Sequence, residues 1–520
     1  MGSLLETSTN WGCPTVGLVW FARDGGAAEK RLWSPLNWLP KIAPTKTVSL
    51  AFTPQLPLSA WDEAMRAPVA APEQKAATSF GYTDFGPAGT VVSDSREPLL
   101  GIRTVRFANG VRLNLKHTDL ARDQVLVQVS VDGGNLLNTR ANPLATRMAG
   151  VLALGGLGKH SKDELDSLLA GRTVAADVSV TDETFAVVAA TTPKDLELEL
   201  QLITAQFTDP GYRAEGEVLF HQSINNYFAS LRATPNSALS ADLGGILSDQ
   251  DPRFSLGKVE DWRALSFGKL RGDIGDRLQR GAIEIGIVGD IDEDAAIALV
   301  GRTFGALPAR EPDFRPYSEN RNRSFTAQRK PQVLRHTGAK DQALVTLVWP
   351  TRDGEDAQAE IQLAMLQRVT QLELTDTLRE KLGKAYSPGA GSQASRTWRG
   401  WGLFTVSASV DVAEVPATRT AIGETIADLR KAPVSDDVLL RARAPLLESY
   451  DNALKSNSGW LAFADRAQTE PDRIERFVHG RERLQAVTAK DLQALALRYL
   501  TADGAVEVMV LPEGVDPPAR

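Results

Sequence analysis

An arginine and a tyrosine seven positions apart, Arg379 and Tyr386, carry the clearest chemistry in this chain of 520 residues. A guanidinium can donate hydrogen bonds to a peptide carbonyl, and a phenol can donate to a developing oxyanion. Both sit in one stretch, Leu378 to Val412. Its start, Leu378-Arg379-Glu380-Lys381-Leu382-Gly383, reads as the charged end of a long helix. Tyr386 to Ser395 reads as a Gly/Pro/Ser-rich turn, and Leu403 to Val412 as an alternating strand. Physics alone favours a plainer account of the pair. Cations belong at a helix C-terminus, and a half-buried tyrosine needs no catalytic role.

Other chemistries find less support. A catalytic zinc needs about three nitrogen or oxygen ligands, commonly two histidines on one helical face with a carboxylate. The five histidines are His117, His160, His221, His336 and His479, and no two stand at i, i+4. His160 lies near Asp163 and Glu164, where an acidic first helical turn is ordinary. No metal ligand set is therefore expected in this chain. Cys13 is the single cysteine, which excludes an internal disulfide or a multi-cysteine metal site. No Gly-x-Ser-x-Gly occurs, Cys13 sits in the irregular leader, and no histidine stands beside a plausible nucleophile. Gly155-Gly156-Leu157-Gly158-Lys159 lacks full phosphate-loop spacing and follows a helical run. Gly286-Ile287-Val288-Gly289 lacks a third glycine.

The net charge is −7 and dispersed, with no basic cluster interleaved with aromatics, so no nucleic acid partner is expected. The apolar patch Val16–Ala22 has no basic residue before it and is too short to span a bilayer, so no membrane association is expected. Without a convincing signal peptide the sequence points to the cytoplasm.

The elements that must position Arg379 and Tyr386 fall into two similar sets. Residues 1–94 form an irregular leader, or the remnant of a preceding domain, because Pro14, Pro35, Pro40, Pro44, Pro54, Pro57, Pro68 and Pro72 interrupt it. Thr47–Thr53 is its one candidate strand and Ala60–Arg66 its one short helix. Its tryptophans Trp11, Trp20, Trp33 and Trp38 would anchor it or pack on the chain's own core. A first domain, 95–312, opens with a hairpin around Asn109-Gly110. It continues with a strand at Gln124–Val131, helices at Leu144–Leu154, Lys162–Ala170, Leu196–Phe207 and Glu215–Leu231, a strand at Ile283–Val288 and a helix at Asp292–Phe304. A charged linker, 313–330, follows. The second domain, 331–520, repeats the order: strand Ala343–Trp349, long helix Ala357–Lys384, two strands about Gly400-Trp401-Gly402, further helices and a closing strand at Ala505–Leu511. In the long helix, Ile361, Met365, Val369 and Leu372 share one face. The fold class is α+β: two similar domains, each a mainly antiparallel sheet with helices packed on one face.

Arg379-Glu380-Lys381-Leu382-Gly383-Lys384-Ala385-Tyr386-Ser387 resembles the Arg/Tyr motif of the M16 (insulinase, or pitrilysin-like) metallopeptidases. Ile285-Gly286-Ile287-Val288-Gly289-Asp290-Ile291-Asp292, followed by Phe304-Gly305-Ala306-Leu307-Pro308, is similar to that family's domain-closing strand and helix. Asn109-Gly110-Val111-Arg112-Leu113 resembles its opening hairpin. The likeness covers about 95–515 and fits the third and fourth domains of the PqqL-type bacterial zinc proteases, which carry the M16/LuxS-like metallohydrolase fold.

The resemblance implies two halves closing around a peptide. One half carries an inverted His-x-x-Glu-His zinc motif and a distal glutamate, and the other supplies the Arg/Tyr pair. Here the zinc positions map onto Thr146, Ala149 and Gly150, none of which can ligate a metal or act as a base. The distal-glutamate turn reads Ile224-Asn225-Asn226-Tyr227, and Glu215 and Glu217 come too early. The resemblance thus implies a non-catalytic half, inactive alone. Zinc would reside in a partner subunit of a heterodimer, and Arg379 and Tyr386 would assist it on a peptide substrate. The alternative is a structural or peptide-binding module, or a gene fragment, without chemistry. The family resemblance also offers the periplasm as an alternative compartment.

Overall fold

The computed structural model describes residues 79–382 and 387–517. The leader's candidate strand and helix, its tryptophans, Cys13 and Tyr386 lie outside the described residues.

Twelve strands form two sheets among the described residues. The first contains β1 (Val91–Arg96), β2 (Arg103–Phe107), β3 (Arg112–His117), β4 (Val125–Asp132), β5 (Ser179–Val180), β6 (Thr184–Thr191) and β7 (Ile283–Gly289). The second contains β8 (Gln332–His336), β9 (Gln342–Thr351), β10 (Ser387–Ala394), β11 (Gly402–Asp411) and β12 (Val506–Pro512). Across the first sheet the order is β1-β2-β3-β7-β4-β6-β5; across the second, read from the opposite edge, it is β8-β12-β9-β11-β10. Remove β1 and β2 and the two orders coincide. The pairings coincide too: β3–β7 and β8–β12 are parallel, while the others are antiparallel. The chain is thus a repeat of one α+β plan.

Local chemistry explains several elements. The β2–β3 turn places Gly110 at φ +94°, which only glycine adopts freely. Asn109 fixes that turn by donating to the carbonyls of Phe304 (2.9 Å) and Leu307 (3.0 Å). The long helix Ala357–Leu382 starts where Asp356 accepts the amides of Gln358 and Ala359. Met365 and Val369 are buried in its core face, with Leu366, Leu374 and Leu378, while Ile361 and Leu372 sit at the margin of that core.

One expected helix is absent. Leu144–Leu154 forms no α-helix; a 3₁₀ stretch, Ala149–Gly155, stands there, followed by the short helix Lys162–Leu168. In the second repeat, the same place between strands holds the long helix Ala357–Leu382. Glycines account for the difference. Gly150, Gly155, Gly156 and Gly158 lower helix propensity, and Gly156 sits at φ +66°, outside helical geometry. The expected turn Tyr386–Ser395 is also corrected, since Ser387–Ala394 forms the edge strand β10.

Each sheet buries its main face under helices of its own repeat. In the first, Val125, Val127, Val129, Ile283, Ile285 and Ile287 join one core. In the second, Val345, Trp349, Phe404, Val406 and Met509 do the same. The opposite faces are covered reciprocally. The helix Asn457–Ala464, from the second repeat, lays Leu461 and Ala464 on Val288 of the first sheet. The helix Pro235–Leu247, from the first repeat, lays Ala238 on Leu344 and Val510 of the second. The connecting segment 311–330 is fastened rather than loose. Glu311 pairs with Arg277 and Arg315, Tyr317 donates to Asp132 Oδ2 at 2.7 Å, and Phe325 packs on Trp401.

Candidate functional site

Arg379 is exposed in the last turn of the helix Ala357–Leu382. Tyr386 lies outside the described residues; β10 begins at the residue after it. The helix that ends at Leu382 and the edge strand that begins at Ser387 flank residues 383–386 in the chain.

The positions expected for zinc chemistry have other occupations. Thr146 is buried and donates to Asn135 Oδ1 (3.0 Å) and Asn138 Oδ1 (3.2 Å). Ala149 is buried in the first core, and Gly150 is exposed. The helix Ala214–Ser230 packs against this stretch so closely that a Cβ on Gly216 would lie 2.7 Å from the Gly155 amide nitrogen. On that helix Ile224 is buried, and Asn225 accepts from Arg263. Glu217 Oε2 accepts the Phe267 amide at 2.7 Å, at the start of the helix Phe267–Arg280. A hydroxyl engaged with two amides, a methyl and a hydrogen do not form a metal donor set. Among the described residues no group of three or more His, Cys, Asp or Glu side chains is placed to hold a metal.

An arginine–aromatic stack stands beside these positions. The Arg147 guanidinium lies 4.7 Å from the Trp262 ring. Trp262 also stacks on Tyr227 at 5.1 Å and meets Phe228 edge-on at 5.3 Å. Burial pushes the Arg147 pKa below the usual arginine range. Sequence reading missed this group, because Arg147 and Trp262 are far apart in the chain and only the fold pairs them.

Four of the five histidines hold the backbone. His117 Nδ1 bonds the Ile291 carbonyl at 2.9 Å, and His221 Nε2 bonds the Leu265 carbonyl at 2.9 Å. His160 Nε2 accepts the Gly81 amide at 2.8 Å and its ring stacks on Phe80. His336 is buried, with Nδ1 accepting the Gly338 amide and Nε2 against the Gln342 carbonyl, the arrangement of a neutral imidazole. His479 is exposed.

Residues 274–446 match the family model described as the peptidase M16 inactive domain. That match covers about a third of the chain. Solved structures agree on the fold. The periplasmic protease PqqL from Escherichia coli superposes with a TM-score of 0.67 at 16% identity, over 89% of this chain and 51% of that one. The M16 inactive domain from Pseudomonas fluorescens superposes with a TM-score of 0.64 at 15% identity, over 81% of this chain and all of that one. The first half of the same Escherichia coli PqqL does so with a TM-score of 0.61 at 13% identity, over 81% and 93%. The chain thus spans about half the length of PqqL. No curated protein sequence matches it. No helix among the described residues is long and apolar enough to cross a membrane.

Proposed function

We propose that this chain is the non-catalytic half of an M16 peptidase, paired with a separate zinc-bearing half that cleaves peptides. The observation that carries the reading is an asymmetry. Thr146 and Ala149, which the family resemblance aligns with zinc ligands, are buried in structural contacts, while Arg379 is exposed in the last turn of its helix. The match to an inactive M16 domain and the half-length overlap with PqqL support it.

In this reading the partner's zinc supplies the activated water. Arg379 donates to a substrate carbonyl and orients the peptide. The Tyr386 hydroxyl donates to the oxygen that gains charge as the carbonyl becomes tetrahedral. Likeness to a periplasmic protease favours the periplasm as the place of action, and cell fractionation tests that.

The deciding experiment mixes this chain with an M16 subunit encoded beside it that carries His-x-x-Glu-His, and follows cleavage of an unstructured peptide. Neither chain alone should turn over, and the mixture should. Tyr386→Phe should lower kcat of the mixture by about 100-fold, in the range of a lost oxyanion donor. Unchanged turnover would leave the chain a structural or peptide-binding module.

A further inference from the structure

Residues 80–82 are clasped by the turn 157–161 of the first repeat, and His160 is the centre of the clasp. Its ring is buried, its Nε2 accepts the Gly81 amide at 2.8 Å, and it stacks on Phe80 with ring centroids 5.8 Å apart. Lys159 closes the other side. Its Nζ donates to the Gly81 carbonyl at 2.6 Å and stands 4.5 Å from the Tyr82 ring. The Tyr82 hydroxyl accepts the Lys159 amide at 2.7 Å and donates to Asp209 Oδ2 at 2.6 Å. Phe80 and Tyr82 cover an apolar bed of Leu157, Leu165, Leu202 and Ala205.

An imidazole nitrogen that accepts an amide proton carries none of its own, so the clasp holds the neutral ring with its proton on Nδ1. A proton on Nε2 would set one N–H against another and leave the Gly81 amide without its acceptor. We propose that the clasp is an acid-sensitive latch: protonation of His160 releases residues 80–82 from the turn. The open form can take up the proton at Nε2 and the closed form cannot, so falling pH favours opening. The charged groups around the ring are engaged in holding the turn and the segment. Arg213 donates to the carbonyls of Gly155, Leu157 and Gly158. Glu164 accepts the Ser161 amide, Lys162 pairs with Asp166, and Asp84 accepts the Gly86 amide. Burial and the bond to Asp209 push the Tyr82 hydroxyl up, so it stays protonated across the range where imidazoles titrate. His117 and His221 bond carbonyls and lose nothing on protonation. His336 also accepts an amide, but in the second repeat, so a local measurement separates the two. The latch needs neither a zinc-bearing partner nor Arg379 and Tyr386, so its failure and that of the proposed function are distinct.

The test is hydrogen exchange of the full chain, followed by mass spectrometry at about pH 8 and about pH 5.5, on either side of the ordinary histidine range, with rates corrected for intrinsic exchange. Protection of the peptide spanning residues 79–90 should fall about tenfold at the lower pH, the size of one lost hydrogen bond. Protection of β4 should hold. His160→Gln offers a neutral acceptor near the Nε2 position and should keep the segment protected at both pH values. His160→Ala should leave it equally exposed at both. Equal protection of the native segment at the two pH values would overturn the proposal without recourse to any variant. So would a native-like loss in His160→Gln, or a loss shared by β4, which would mark acid unfolding of the whole repeat.

Discussion

Asn114 reaches across the two repeats to Ala464. Its side-chain amide donates to the Ala464 carbonyl at 2.7 Å and to Glu284 Oε1 at 2.6 Å. Glu284 also accepts the Gln468 amide (2.7 Å) and the Thr469 hydroxyl (2.6 Å). A polar patch on the first sheet thus receives the loop that follows the helix Asn457–Ala464. Each bond satisfies a buried group that would otherwise cost stability.

That seam makes Gly286 a sensitive position. A Cβ there would lie 3.2 Å from the Ala464 carbonyl carbon and 3.3 Å from Leu461 Cδ1. Gly286→Leu should lift the helix Asn457–Ala464 from the sheet and cost about 2–3 kcal/mol, the range for overpacking. Urea unfolding measures the loss, and limited proteolysis should find new cleavage near residues 457–470. A native-like midpoint would show that the helix is not pressed on the sheet.

A second seam rests on Arg323, whose guanidinium lies 3.8 Å from the Trp401 ring and 4.1 Å from the Phe254 ring. Its Nε donates to Ser248 Oγ at 3.1 Å, and burial holds its pKa down at about 10. Arg323→Lys keeps a charge but loses the planar stack. It should cost about 1–2 kcal/mol and broaden thermal unfolding as the repeats lose coupling. Calorimetry showing an unchanged single transition would remove the stack from the list of couplings.

Glu199 predicts a pH dependence. It is buried, its Oε2 accepts the Ala175 amide at 2.9 Å, and its Oε1 has no hydrogen-bond partner among the described residues. Burial pushes its pKa up to about 8. The folded state therefore holds this proton more tightly than the unfolded chain does. Its contribution to stability falls as pH rises from the ordinary glutamate range, about 4.3, through about 8. Glu199→Gln keeps the carbonyl acceptor and should flatten that slope, so the variant gains on the native chain between pH 5 and 9. Parallel slopes in denaturant midpoints would contradict the shift.

Glu311 works in the opposite direction. The Arg277 guanidinium, with Arg315, holds its carboxyl down at about 2. The stability it adds is present above the ordinary glutamate range and is lost as pH falls toward 2. Glu311→Gln should lower stability at pH 7 and converge with the native chain near pH 2, read by thermal melts.

Legibility in the sequence followed the range of the interaction. The hairpin at Asn109-Gly110, the alternation in β9 and β11, and the apolar face of Ala357–Leu382 are local patterns, and the structure has them. Leu144–Leu154 misled because apolar residues crowd both a 3₁₀ stretch and an α-helix, and the glycines after it decide the outcome. A strand before Gly400 was expected, but the Gly/Pro composition of Ser387–Ala394 read as a turn and hid where it lies. Pro388 sits with the outward-facing residues of an edge strand, where its missing amide costs no pairing. The Arg147–Trp262 stack and the Gly81–His160 clasp depend on residues brought together only by folding, and no local spacing announces them. Arg379 was legible as the exposed end of a long helix; the role proposed for it rests on family likeness.

The reciprocal covering of the sheets sets an order of events during synthesis. The strands of the first sheet are complete at Gly289, yet the helix that closes their second face ends at Ala464. About 175 residues separate them, which translation at roughly 5–20 residues per second spans in ~9–35 s. For that interval Val288 and the Asn114–Glu284 patch are open to any ligand for a half-covered sheet. The helix Pro235–Leu247 has the converse history, since it emerges before the strands it will cover exist. The second face of the first sheet is therefore closed only after most of the second repeat has been made.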